Sequence, residues 1–157
     1  METRGIGRKT VKANKNAPVF SQGAIEVAAP THAVWDLLAD IRGWPRWNAD
    51  VQEVSIDGEV AEGTVFRWKA GPGTITSTLR LVDRPRALGW TGRTFGIYAT
   101  HVWRFEKRGS STLVSMEESF EGLPAHLFRR RLQKQLDETT RTGLENMRAV
   151  SEASDQS

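Results

Sequence analysis

The sequence predicts an α+β domain: a strongly curved antiparallel sheet of about seven strands wrapped around one long C-terminal helix, with two short helices between the first strand and the second. Three observations lead there. Six β-rich segments follow one another between residues 51 and 120, joined by turns too short for a crossover. The segment from residue 125 to 151 carries apolar residues at helical spacing along one side only. A meander of this kind leaves an apolar face bare, and this helix is the one long amphipathic element able to cover it.

The elements can be justified in chain order. Residues 20–28 (FSQGAIEVA) read as the first strand. Pro30-Thr31 opens a helix, because proline suits a first turn whose N–H has no partner anyway. Val34, Leu37, Leu38 and Ile41 recur at helical spacing with Trp35 beside them, and the helix stops near Gly43. Trp44-Pro45-Arg46-Trp47-Asn48 allows little more than one turn, with both tryptophans on one face. Strands follow at 51–56, 64–70, 74–82, 87–93, 97–107 and 112–120. Between them lie Asp57-Gly58, Gly71-Pro72-Gly73, Arg84-Pro85, Phe95-Gly96 and Gly109-Ser110. In the final helix Leu132, Leu136, Thr139, Gly143, Met147 and Val150 form the predicted inner face. Arg130, Lys134, Asp137, Glu138, Arg141, Glu145 and Arg148 form the outer one.

Composition narrows the function. With 38% hydrophobic and 26% charged residues, the 157-residue chain reads as one soluble globular domain. It has no cysteine, which excludes a disulfide scaffold, a thiolate zinc site and a cysteine nucleophile. No apolar run approaches the roughly 18–20 residues of a membrane helix. No signal-like segment opens the chain, so a cytoplasmic protein without stable membrane insertion is expected. Residues 1–17 hold Arg4, Arg8, Lys9, Lys12 and Lys15 against Glu2, a net +4, which leaves −1 for residues 18–157 out of a total of +3. Residues 1–17 are therefore read as a flexible basic tail, 18–152 as the domain and 153–157 as a disordered end. No nucleic-acid module follows the tail.

Turn chemistry fixes register, and register decides which side chains share a face. Gly109 suits the first central position of a two-residue type II′ turn. That pairs Phe105 with Val114, Trp103 with Met116, His101 with Glu118 and Ala99 with Phe120. A turn at Gly71-Pro72 pairs Trp68 with Ile75 and Phe66 with Ser77. One at Arg84-Pro85 pairs Leu81 with Leu88 and Leu79 with Trp90. One at Thr94-Phe95 pairs Trp90 with Ala99 and Leu88 with His101. The resulting inner face mixes large aromatics with Ser77, Ala99, His101 and Glu118, the composition of a ligand pocket more than of a solid aliphatic core.

Several stretches resemble one superfamily. They are Ile25-Glu26-Val27-Ala28-Ala29-Pro30 with Val34-Trp35, Trp44-Pro45-Arg46-Trp47-Asn48, Gly63-Thr64-Val65-Phe66-Arg67-Trp68, Leu88-Gly89-Trp90-Thr91-Gly92 and Glu117-Glu118-Ser119-Phe120. Together with the element order, they are similar to the SRPBCC superfamily, the START-like helix-grip fold, and within it to the polyketide cyclase/dehydrase and lipid-transport family. The resemblance spans residues 20–150. It implies a hydrophobic small molecule held between the sheet and the C-terminal helix. The same fold hosts cyclases, lipid carriers, hormone receptors and co-chaperone domains, so fold alone does not choose among them.

The candidate chemistry centres on His101 and Glu118, either as a general acid/base pair or as a structural pair that orients a ligand. A carboxylate beside an imidazole would favour the charged form of each. His32 and His126 fall in first turns of helices and read as surface residues. Two ligands are too few for a catalytic metal, and no phosphate loop or nucleophile elbow is present, so no metal and no cofactor are expected. Trp35 reads as helix-to-sheet packing. The expected ligand-binding residues are Trp44, Trp47, Phe66, Trp68, Ser77, Leu79, Trp90, Ala99, His101, Trp103, Met116, Glu118, Phe120 and Gly143. Arg129-Arg130-Arg131 reads first as a solvated helix face, with attraction of an anionic lipid headgroup or an acyl-carrier protein as the alternative. Three functions follow: a binder of a lipid-like or polycyclic, polyketide-like molecule; a cyclase/dehydrase-type enzyme using His101 and Glu118; or a co-chaperone-like interaction module. The expected assembly is a monomer or weak homodimer.

Overall fold

The longest hairpin is set by one residue. In the computed structural model, which describes residues 11–155, Gly109 adopts φ +60°, a region that strains any side chain. It joins β6 (Ile97–Arg108) to β7 (Ser111–Glu121). Arg108 pairs with Ser111, and the register continues through Phe105–Val114, Trp103–Met116, His101–Glu118 and Ala99–Phe120, as the turn chemistry predicts. The other strands are β1 (Val19–Val27), β2 (Glu53–Ile56), β3 (Val65–Ala70), β4 (Gly73–Asp83) and β5 (Ala87–Thr94). All seven form one antiparallel sheet in the order β1-β7-β6-β5-β4-β3-β2. Between β1 and β2 lie α1 (Thr31–Ala39), a 3-10 turn (Ile41–Gly43) and α2 (Trp44–Trp47). After β7 come α3 (Leu123–Leu127) and α4 (Arg129–Asp155). This is the helix-grip architecture. None of the described helices is long and apolar enough to cross a membrane.

Two strand pairings differ from the expectation. Asp83 pairs with Ala87, so the β4–β5 turn has three residues instead of two. A bulge between Leu79 and Leu81 absorbs the extra residue. Leu79 still faces Trp90, but Leu81 now faces Gly89 and leaves the inner face, while Val82 faces Leu88 and packs on the core. The β5–β6 turn is Phe95-Gly96, not Thr94-Phe95. Both residues have positive φ, 46° and 76°, the mirror-type turn whose twist matches the strands. Trp90 therefore faces His101, and Leu88 faces Trp103. Because the slip is two residues, the inner and outer faces are unchanged.

The C-terminal helical segment breaks at Phe128. The inward side of α4 runs through Leu136, Thr140, Leu144, Met147 and Ser151, all buried. Thr139 is exposed instead of inward, and its hydroxyl donates back to the carbonyls of Gln135 and Leu136. Gly23 lets α4 settle closely on β1: a Cβ there would lie 2.9 Å from Leu144 Cδ1 and 3.3 Å from Thr140 Cγ2. Two α4 side chains also bond the free edge of β1. Gln133 accepts from the Phe20 N–H (3.1 Å) and donates to the Phe20 carbonyl (2.7 Å), and Glu152 accepts the Ala28 N–H (3.0 Å).

Residues 1–10 of the expected tail, and residues 156–157, lie outside the described residues. Residues 11–17 are part of the fold. Ala13 is buried. The Asn14 N–H donates to Ser119 Oγ (3.0 Å), Asn14 Nδ2 donates to Glu121 Oε1 (3.0 Å), and Arg104 donates to the Val11 carbonyl. The domain thus begins by residue 11, not 18, because hydrogen bonds to the outer face of β7 and β6 hold a segment whose charge pattern resembles a tail. At the other end, α4 continues to Asp155, past the expected boundary at 152.

Candidate functional site

His101 lies at the centre of β6, between two indoles. The Trp90 ring across the sheet is 4.6 Å away, centroid to centroid, and Trp103 stacks at 5.6 Å. Alternation along β6 and its pairing with β5 make this arrangement, since Trp103 follows His101 by two residues and Trp90 is its cross-strand partner. On the other side stands Glu118, with Oε2 3.5 Å from His101 Nδ1 and no hydrogen bond between them. Ser21 of β1 extends this row beyond Glu118, and Thr140 of α4 stands over Gly23 in the next row.

The side chains of His101 and Glu118 are only 12% and 14% exposed. Loss of water penalises a charge on either. It pushes Glu118 up to about 8 and His101 down to about 3. Burial thus favours a protonated carboxyl facing a neutral imidazole. It works against the mutually charged pair that the residue types suggest. This seam also holds buried polar atoms that make no hydrogen bond among the described residues: both His101 nitrogens, Trp103 Nε1 and Thr140 Oγ1.

Most of the other expected site residues belong to one apolar core. Trp44, Phe66, Trp68 and Trp90 form an aromatic cluster with centroids 5.2–5.9 Å apart. Within it Trp44 Nε1 donates to the Leu38 carbonyl and Trp68 Nε1 to Ser77 Oγ, so both are tied into the fold. Trp35 likewise donates to the Ala87 carbonyl. Phe66 and Leu79 are fully buried core. Trp47 packs on this core, yet its buried Nε1 makes no hydrogen bond among the described residues. Phe120 belongs to a second cluster with Val19, Ala125, Leu132 and Leu136, and Ala99 lies between Phe120 and Gly92. Met116, Trp103, Leu144 and Met147 share the main core, and a Cβ on Gly143 would meet only Trp103, at 3.9 Å. His32 and His126 are exposed.

Two clefts among the described residues lie elsewhere. One of about 790 Å³ runs along the outer side of α4 from Arg129 to Arg141. The other, about 410 Å³, lies on the outer face of the sheet around Arg104 and Glu117. Sequence reasoning missed Thr140 and Ser21. The spacing Leu136, Thr140, Leu144, Met147 would have found the first. The second depends on β1 pairing with β7 across the whole chain, which no local pattern encodes.

No curated protein matches the chain. Solved structures do. A hypothetical protein from Helicobacter pylori is similar with a TM-score of 0.79 at 15% identity, over 96% of this chain and 99% of that one. A START superfamily protein from Mycobacterium smegmatis gives 0.72 at 15% identity, over 85% and 97%. The Zhui aromatase/cyclase from a Streptomyces species gives 0.71 at 19% identity, over 85% and 93%. At such identities the likeness is one of fold. The family model described as polyketide cyclase / dehydrase and lipid transport matches residues 21–152. With a match over most of its length and a helix-grip sheet closed by α4, the chain belongs to the polyketide cyclase/dehydrase and lipid transport family.

Proposed function

We propose that this protein binds a hydrophobic small molecule, lipid-like or polycyclic, between the inner face of its sheet and α4, with His101 and Glu118 orienting the ligand's polar group. The observation that carries the reading is the set of unbonded polar atoms on the seam: both nitrogens of His101, Trp103 Nε1 and Thr140 Oγ1. Each such atom costs about 1–3 kcal/mol when buried without a partner. A guest that bonds them relieves that cost. An indole N–H only donates, and a protonated carboxyl also donates. The matching ligand feature is a neutral acceptor oxygen on an apolar body. Membership of a cyclase and lipid-transport family supports the same class. The ligand gains room by parting α4 from the sheet near Gly143, where only the Trp103 ring stands close.

A second reading, a cyclase/dehydrase-type enzyme, is favoured by the 3.5 Å approach of His101 to Glu118. There the neutral imidazole would take a proton and the carboxyl would supply one. One titration tests the binding reading and a turnover assay separates the two. Tryptophan emission is followed while a fatty acid or a polycyclic aromatic is added. Saturable quenching or a spectral shift is expected. In a carrier His101→Gln keeps much of the affinity, whereas in an enzyme it abolishes turnover. A folded protein that responds to no member of a broad panel overturns the binding reading and returns the interaction module to first place.

A further inference from the structure

We propose that the end of the molecule carrying the β5–β6 turn and α3 docks on an anionic lipid surface. Four large apolar side chains stand out on the described residues: Phe95 is 72% exposed, Leu123 70%, Leu127 68% and Phe128 57%. They lie at one end of the sheet, the Phe95 ring against Gly73 at the start of β4 and the other three on or beside α3. A Cβ on Gly96 would touch the Pro124 ring at 3.4 Å, and one on Gly122 would collide with the Gly96 carbonyl oxygen, so the β5–β6 turn abuts the start of α3. Leu123 and Leu127 lie on α3, and Phe128 is the joint to α4. Exposed apolar side chains scattered singly need no explanation, but four gathered where two elements meet do.

The neighbouring charges identify the surface. Arg129, Arg130 and Arg131 follow Phe128 directly, with Lys134 one turn on. All four are exposed, and none makes an ion pair among the described residues. From residue 122 to 136 there is no acidic residue. The flanking acids are already engaged by amides, Glu121 by Asn14 and Asp137 by Gln133. Apolar tips beside unpaired arginines suit the headgroup region of a bilayer. The rings and leucines enter the interface while guanidinium groups bond phosphate oxygens. This surface is independent of any ligand beneath α4.

Flotation of the full chain with vesicles tests the proposal. One set is phosphatidylcholine alone, and the other contains about one-third phosphatidylserine. Binding to the second set only, falling with salt, is expected. Each arginine near such a surface contributes roughly fivefold in partition, so Arg129→Gln/Arg130→Gln/Arg131→Gln should lose roughly a hundredfold. Phe95→Asn places Asn-Gly in a turn that favours it, and Leu127→Ser alters an exposed site, so both should weaken binding without lowering the thermal midpoint. Lys107→Gln/Arg108→Gln, at the opposite end of the sheet, should leave binding unchanged. The proposal is overturned by any of four results: no binding, equal binding to both sets, equal loss in the Lys107/Arg108 variant, or complete loss on deleting residues 1–10.

Discussion

Replacing Glu118 by Gln should stabilise the protein, and by an amount that grows with pH. In the folded state burial holds the Glu118 carboxyl at about 8, against an ordinary 4.5 once unfolded. Between those values the unfolded chain releases a proton that the folded chain keeps, so the native state loses ground as pH rises. At about 1.4 kcal/mol per pH unit the full effect approaches about 5 kcal/mol, reached above pH 8. At about pH 5 little of it has developed, so the advantage of Glu118→Gln over the native chain should widen by about 3–4 kcal/mol between about pH 5 and pH 8. His101 acts in the opposite sense. Its folded value of about 3 lies below the ordinary 6.5, so its contribution is lost as pH falls through that interval. The two slopes cancel between about 4.5 and 6.5, and the native chain should show a plateau there with declines on either side. Urea unfolding of both proteins across the range measures the difference directly, and titrations elsewhere in the chain cancel. A Glu118→Gln variant less stable than the native chain at pH 8, or a difference independent of pH, would refute the neutral pair and restore an ion pair.

Three other perturbations test the architecture. Gly143→Ala should raise stability by about 0.5–1 kcal/mol, because a methyl there meets only Trp103 at 3.9 Å and glycine is a poor helix former; thermal melting will show it. Gly23→Leu should lower stability by about 1–3 kcal/mol or more and release α4, since even a Cβ falls 2.9 Å from Leu144; amide exchange in α4 should accelerate. Deleting residues 1–10 should leave the melting midpoint unchanged. Deleting 1–17 should depress it, because it exposes Ser119 and removes both Asn14 hydrogen bonds; equal midpoints for the two truncations would return the domain boundary to residue 18.

What the sequence revealed depended on how local each determinant was. Gly109 alone fixes the β6–β7 register, so the His101–Glu118 row could be read from two residues of turn. The β4–β5 register could not, because the bulge that moves Leu81 outward carries no distinctive residue. The β5–β6 turn was misplaced by one position since phenylalanine is an improbable occupant of φ 46°. Tertiary packing overrode the charge pattern at residues 11–17. At the site, the residue types suggest attraction between charges, and burial beside Trp90 and Trp103, which works against charge on either group, could not be read from them. The inward face of α4 was drawn one residue off at Thr139, where a hydroxyl bonded to its own helix replaces a core contact.

The grip of α4 on β1 also bears on self-association. A sheet that ends in an unpaired strand offers a template on which a second copy can add, the first step toward fibres. One edge here is β2, only four residues long. The other is β1, nine residues long and the more dangerous of the two. Gln133 occupies both hydrogen-bonding groups of Phe20, and Glu152 takes the N–H of Ala28, so an incoming strand meets amide and carboxylate groups already in its place at either end. The helix that covers the interior therefore also acts as a stopper against polymerisation. Any loosening of α4 would bare that edge, so the seating of α4 and resistance to aggregation are linked through the same two side chains.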